Sequence, residues 1–150
     1  MEGIEKCILT NMCLLEVDDK ILVQIRKKKD WPGLTLPGGH VEKGEGLKQA
    51  MIREFKEETG LTLLDPILKG IEEFKTEEED RYFIFFFKAN KYSGELKESE
   101  EGEIKWIKKE ELDNYELSLD IEDIIEVIEN EDISFLRYFL ENGEWLHTLE

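Results

Sequence analysis

The chain has 150 residues and carries 37 Asp and Glu against 20 Lys and Arg, a net charge of −17. Hydrophobic residues make up 40% of it, with eight Phe and three Trp, which is enough to build a packed core and argues against a disordered chain. So acidic a surface repels a phosphate backbone. A nucleic-acid polymer is therefore a poor partner, and a small anion becomes one only where a bound cation supplies positive charge.

The length fits one domain spanning 1–150. The opening Met1-Glu2-Gly3-Ile4-Glu5-Lys6-Cys7 has no basic stretch leading into an apolar one, so no signal peptide is expected. No apolar run reaches the roughly 18–20 residues of a membrane span. Cys7 and Cys13 stand about 20 Å apart on an extended strand, at ~3.3 Å per residue, too far for a disulfide. Two buried free thiols and a cytoplasmic location are the expectation.

In chain order, Ile4–Glu16 and Lys20–Arg26 read as strands joined by a turn at Asp18-Asp19. A short basic loop, Arg26-Lys27-Lys28-Lys29-Asp30, follows. Trp31-Pro32-Gly33 and Pro37-Gly38-Gly39 then frame a short strand at Leu34-Thr35-Leu36. From Gly46 to Thr59 the period changes to a helix with Leu47, Met51 and Phe55 on its core face, and Gly60 is placed to cap its C-terminus. Leu61–Phe74 and Arg81–Tyr92 are predicted strands, the second a dense aromatic run suited to a central position. Glu77-Glu78-Glu79-Asp80 forms the solvated turn between them. Ile104–Ile107 is a last short strand, and helices are predicted over Ile121–Asn130 and Ser134–Glu141. Strands interrupted by one long helix, with helices at the end, indicate an α+β or layered α/β/α sandwich.

The chemistry concentrates between Gly39 and Leu61. Glu54, Glu57 and Glu58, at i, i+3 and i+4, share one ~100°-wide helix face. Three like charges there weaken an isolated helix; a hard divalent cation, which prefers carboxylate oxygens, turns the same face into a site. Arg53 is placed to orient carboxylates through its fork of donors, and Gly38-Gly39 lets a backbone carbonyl approach without a Cβ in the way.

These residues resemble the Nudix box, Gly-x5-Glu-x7-Arg-Glu-U-x-Glu-Glu-x-Gly-U with U a bulky apolar residue. Gly39, Glu45, Arg53, Glu54, Phe55, Glu57, Glu58, Gly60 and Leu61 fill its fixed positions. Phe55 is the loosest fit, since Leu, Ile or Val is commoner there. The layout over roughly residues 4–130 is similar to a MutT-type domain, which implies a mixed central sheet in an α/β/α sandwich with a loop-helix at its site.

The resemblance also implies Mg²⁺, or Mn²⁺ in its place, held by Glu54, Glu57, Glu58 and the Gly38 carbonyl, with Glu45 and Arg53 in support. It implies hydrolysis within the pyrophosphate of a nucleoside diphosphate derivative. Family members vary in their general base, and Glu100 is the candidate on the loop before the last strand, with Glu98, Glu101 and Glu103 as rivals. Arg26, Trp31 and Gly39 are the candidate substrate contacts. The leading expectation is a nucleoside triphosphate pyrophosphohydrolase, with oxidised dNTPs such as 8-oxo-dGTP among its substrates. ADP-ribose or dinucleoside polyphosphate hydrolysis, and a non-catalytic nucleotide sensor, are the alternatives. The expected partner is a small nucleotide, with no membrane or nucleic-acid polymer, and the chain is a monomer or homodimer.

Overall fold

The computed structural model describes residues 2–27, 29, 32–76, 80–97 and 102–150. Alternation along the strands decides its layering. In β1 (Cys7–Val17) Leu14 joins one apolar cluster while its neighbours Cys13 and Leu15 join another. In β7 (Arg81–Ala89) Phe86 and Phe87 divide in the same way. The first cluster is closed by α2 (Ile121–Glu129) through Ile121, Ile124, Val127 and Ile128. The second is closed by α1 (Leu47–Thr59) through Met51 and Phe55. A mixed sheet thus lies between two helices in an α+β layered sandwich, as the sequence implied.

The remaining strands are β2 (Lys20–Arg26), β3 (Gly33–Thr35), β4 (Gly38–His40), β5 (Leu61–Leu64), β6 (Ile67–Lys75), β8 (Lys91–Gly94), β9 (Gly102–Lys108), β10 (Phe135–Glu141) and β11 (Glu144–Leu149). The main path runs β11-β10-β6-β7-β1-β2-β3, with β4 on β1 and β9 on β2, and β5 with β8 forms a separate pair. The β1–β7 and β6–β10 pairs are parallel. At one edge of β1, β4 pairs from Thr10 to Met12 and β2 from Glu16. That division sets Gly38-Gly39-His40 beside Asn11, in front of α1. Gly60 caps α1 in the left-handed conformation at φ 83°, its N–H donating to the Lys56 carbonyl.

Four expectations are corrected. Residues 61–74 do not form one strand, because Asp65 at φ 49° and Pro66 turn the chain between β5 and β6. Likewise 81–92 divides into β7 and β8. Ser134–Glu141 is not a helix: most of it is β10, paired with β6 and β11. Phe135, Leu136, Phe139 and Leu140 fit a helical stripe, but Asn142-Gly143 follows with both φ positive, 52° and 79°, the requirement of a tight hairpin turn. Finally, Cys13 is buried but Cys7 is exposed, since it opens β1 where residues 2–7 all face solvent. Among the described residues no helix is long and apolar enough to cross a membrane.

A Cβ at Gly143 meets no atom within 4 Å, so a substitution there tests backbone conformation alone. Gly143→Val is expected to lower stability by about 1–2 kcal/mol, read as a shift of the urea unfolding midpoint. An unchanged midpoint would remove the requirement for a positive φ at Gly143.

Candidate active site

The site is organised around one guanidinium. Arg53, in the middle of α1, donates from Nε to Glu45 Oε2 at 2.7 Å and from Nη2 to Glu45 Oε1 at 2.9 Å, a two-point grip on the loop before the helix. The same Nη2 donates to the His40 carbonyl at 3.0 Å. Nη1 reaches Glu54 Oε1 and Glu57 Oε2, both at 3.1 Å. Arg53 therefore ties β4, the loop and two helix carboxylates into one array. Its own pKa is raised by these acids, Glu45 foremost. In return the Arg53 hydrogen bond holds Glu45 below the ordinary carboxylate range. Glu45 Oε1 also accepts the Glu42 N–H, which closes the loop upon itself.

Glu58, the third acid of the face, accepts from Gln24 Nε2 of β2 at 3.1 Å. Gly39 is packed against Glu54 so closely that a Cβ there would overlap its carboxylate. A Cβ on Gly38 would overlap the Asn11 carbonyl. The Gly39 N–H donates to Asn11 Oδ1 at 3.1 Å, while buried Asn11 Nδ2 has no partner. Both glycines are thus required by close approach, Gly38 to the β1 backbone and Gly39 to the Glu54 carboxylate.

Among the described residues no three His, Cys, Asp or Glu side chains converge as a ready-made cage. Arg53 spans Glu54 and Glu57, and Gln24 holds Glu58. The donor set nevertheless fits a hard divalent cation: Glu54 at 14% and Glu57 at 59% exposure offer oxygens beside the glycine cradle. Mg²⁺ is typically bound through one or two carboxylates, water and substrate phosphates rather than by an all-protein cage.

Beside this face lies a cavity of about 460 Å³, within the size range of small-molecule sites. Asn11, Gln24, Arg26, Gly38, Gly39 and His40 line its end near α1. Thr10, Met12, Thr35, Leu36, Phe74, Tyr82, Ile84 and Asp120 line the rest, with Phe74 and Tyr82 stacked at 5.1 Å. The structure places Arg26, Gly38 and Gly39 in the cavity wall; Glu54 packs on Gly39, Glu58 accepts from Gln24 and Arg53 donates to the His40 carbonyl of that wall, while Glu45 and Glu57 are tied to it through Arg53. Trp31 and Glu100, with the rivals Glu98 and Glu101, lie outside the described residues. Glu103 is exposed on β9, paired with Ile25 of β2. Asn11, Gln24 and Asp120 were not anticipated; the signal available was a polar residue inside each apolar strand, and an Asp just ahead of a helical stripe.

A NUDIX domain model matches residues 9–129. The chain belongs to the Nudix family. Members of this family generally use divalent metal ions and act on small nucleotide compounds. An uncharacterized Nudix hydrolase, YvcI of Bacillus subtilis, is 37% identical over 99 residues, 63% of this chain and 61% of that protein. An oxidized purine nucleoside triphosphate hydrolase of Danio rerio is 32% identical over 105 residues, 65% of this chain and 64% of that protein. These matches span less than two thirds of either curated relative. The crystal structure of a MutT protein from Bacillus halodurans superposes with a TM-score of 0.77 at 27% identity, covering 95% of this chain and 97% of that one.

The Arg53–Glu45 grip carries a pH signature. Because the folded Glu45 pKa lies below its unfolded value, its stabilisation is present above the ordinary carboxylate range and is lost as pH falls through the folded pKa. Glu45→Gln is expected to lower the melting temperature at pH 7, and the gap to the native chain should close toward pH 3.

Proposed function

We propose that this chain is a divalent-cation-dependent pyrophosphohydrolase that converts a nucleoside triphosphate into a nucleoside monophosphate and pyrophosphate. The observation that supports this reading is the Arg53 array, which holds Glu54 and Glu57 together and bonds to the carbonyl of His40, a residue that lines a nucleotide-sized cavity beside Gly39. Glu54, Glu57, Glu58 and the Gly38 carbonyl would hold the cation, Mg²⁺ or Mn²⁺. That cation would neutralise pyrophosphate charge and make a water easier to deprotonate.

The chain's own residues do the rest. Arg53 and Glu45 keep the helix carboxylates in register with the Gly38-Gly39 turn. Glu57, the most exposed of the acids that Arg53 grips in the hydrogen-bonded array, is placed to accept a proton from water as water adds to phosphorus and the bridging P–O bond breaks. Arg26, at the end of β2, faces the same cavity and offers a fixed positive charge to the phosphates. Trp31 is the candidate for stacking on the base, and Glu100 is the alternative to Glu57 as proton acceptor. The nucleobase occupies the Phe74–Tyr82 end of the cavity, where aromatic and aliphatic walls replace charge. An oxidised purine triphosphate such as 8-oxo-dGTP is the favoured substrate, supported by the likeness to the Danio rerio enzyme. A cytoplasmic location belongs to this reading and is supported by the exposed free thiol of Cys7.

The test is a hydrolysis panel with Mg²⁺ over dNTPs, NTPs, 8-oxo-dGTP, ADP-ribose and dinucleoside polyphosphates, with products separated by chromatography. Monophosphate plus pyrophosphate from a preferred triphosphate supports the proposal. Preference for ADP-ribose or a dinucleoside polyphosphate replaces the substrate. Nucleotide binding without turnover of any compound leaves a sensor. EDTA is expected to abolish turnover, and Glu57→Gln to cut kcat about 10²–10⁴-fold with an unchanged melting temperature.

A further inference from the structure

Away from the active-site cavity, the sheet itself opens. The parallel pairing of β6 with β10 begins at Ile71 with Phe135 and stops at Glu73 with Arg137. Beyond that point β6 stays with β7 as far as Lys75 opposite Arg81, and β10 stays with β11 as far as Glu141 opposite Glu144. The two strands part, and a cavity of about 360 Å³ lies in the fork. Residues 73–75 line one side and residues 137–140 the other, with Arg81 and Trp145 completing the wall. Its volume falls within the range of small-ligand sites. Phe74 is common to this wall and to that of the active-site cavity.

The fork inverts the charge of the chain. Acids outnumber bases by 37 to 20 overall, yet Lys75, Arg81 and Arg137 stand in this wall against the single acid Glu73. Both guanidiniums converge on that acid at long range: Arg81 Nη1 is 3.8 Å from Glu73 Oε2, and Arg137 Nε is 3.6 Å from Glu73 Oε1, beyond hydrogen-bond length. Each is fixed by another contact. Arg81 Nε donates to Glu5 Oε1 at 2.8 Å, and the Arg137 guanidinium lies 5.0 Å from the centre of the Phe139 ring. The pair is therefore held in place with N–H donors still uncommitted among the described residues. Trp145 shares the wall with these cations and leaves 49% of its surface to solvent. We propose that the fork is a second ligand site, which takes a small aromatic phosphate. Its phosphate enters between Arg81 and Arg137, with Lys75 as a third charge, and the ring it carries packs on Trp145 and Phe74. Glu73 brings one charge and two oxygens and leaves both guanidiniums distant, whereas a phosphate dianion offers three oxygens to three cations. No residue of α1 or of the Arg53 array takes part.

The test titrates the ¹⁵N-labelled chain with AMP, phenyl phosphate, adenosine and inorganic phosphate at fixed ionic strength. It follows the indole N–H signal of Trp145, assigned through its loss in Trp145→Phe. AMP or phenyl phosphate should move that signal saturably, while adenosine and inorganic phosphate, each carrying half of the ligand, should bind about 10-fold more weakly or worse. A response to AMP sustains the inference with a nucleotide as the source of the phosphate, and a response to phenyl phosphate alone sustains it with a smaller aromatic ester. Two variants should act in opposite directions. Arg137→Gln removes a guanidinium and should weaken binding about 10-fold; Glu73→Gln removes the resident carboxylate and should tighten it about 2–5-fold. Melting curves check that each variant is folded, and if Arg137→Gln is not, Lys75→Gln takes its place with a loss in the same direction. No saturable shift with either aromatic phosphate, equal binding of adenosine, an affinity unchanged by loss of the cation, or weaker binding in Glu73→Gln overturns the inference.

Discussion

One guanidinium holds the candidate active site together. Four acids, Glu42, Glu45, Glu54 and Glu57, stand within 4 Å of Arg53 in a chain already burdened with negative charge. Without that hub the carboxylates would repel one another off the helix face and the loop before α1 would have no anchor. A lysine would not substitute, since a point charge cannot span Glu45 in two-point fashion while also donating to the His40 carbonyl and to Glu54 and Glu57. The grip has a second consequence. Glu54 and Glu57 are held through one edge each, so their other oxygens stay available to whatever enters beside Gly39.

The two ends of the cavity are built by different physics. Near α1 it is charge against charge, with oxygens fixed by Arg53 and Gln24. Toward α2 the wall includes Asp120, a buried acid whose ionisation burial disfavours. A substrate that is anionic at one end and a flat heterocycle at the other matches this division.

The charged end was legible in the sequence because it is local. Gly39 to Leu61 is one loop and one helix, and helical spacing alone puts Glu54, Glu57 and Glu58 together. The other end is assembled from β1, β6, β7 and the start of α2, which only long-range pairing brings side by side; no local period announces that Phe74, Tyr82 and Asp120 line one cavity. The C-terminal hairpin was missed for another reason. Phe135, Leu136, Phe139 and Leu140 satisfy a period of four as readily as two strand faces, and the deciding signal was the Asn142-Gly143 turn rather than the apolar residues. Asp65-Pro66 carried the same kind of information for the break between β5 and β6.

The parallel pairing of β1 with β7 also bears on how the molecule comes together in time. Its register joins Cys7 to Arg81 and runs to Leu15 with Ala89, so each partner lies more than seventy residues along the chain from the other. Everything that makes the charged end of the cavity lies inside the loop this pairing closes. Contacts of such long range form slowly, because the entropy of closure is lost before the strand pair offsets it. The helix and its cap can form early on local interactions, but the wall that faces them is complete only once β7 has found β1. Completion of the cavity wall should therefore be among the last events as the chain folds, well after its helical content has appeared.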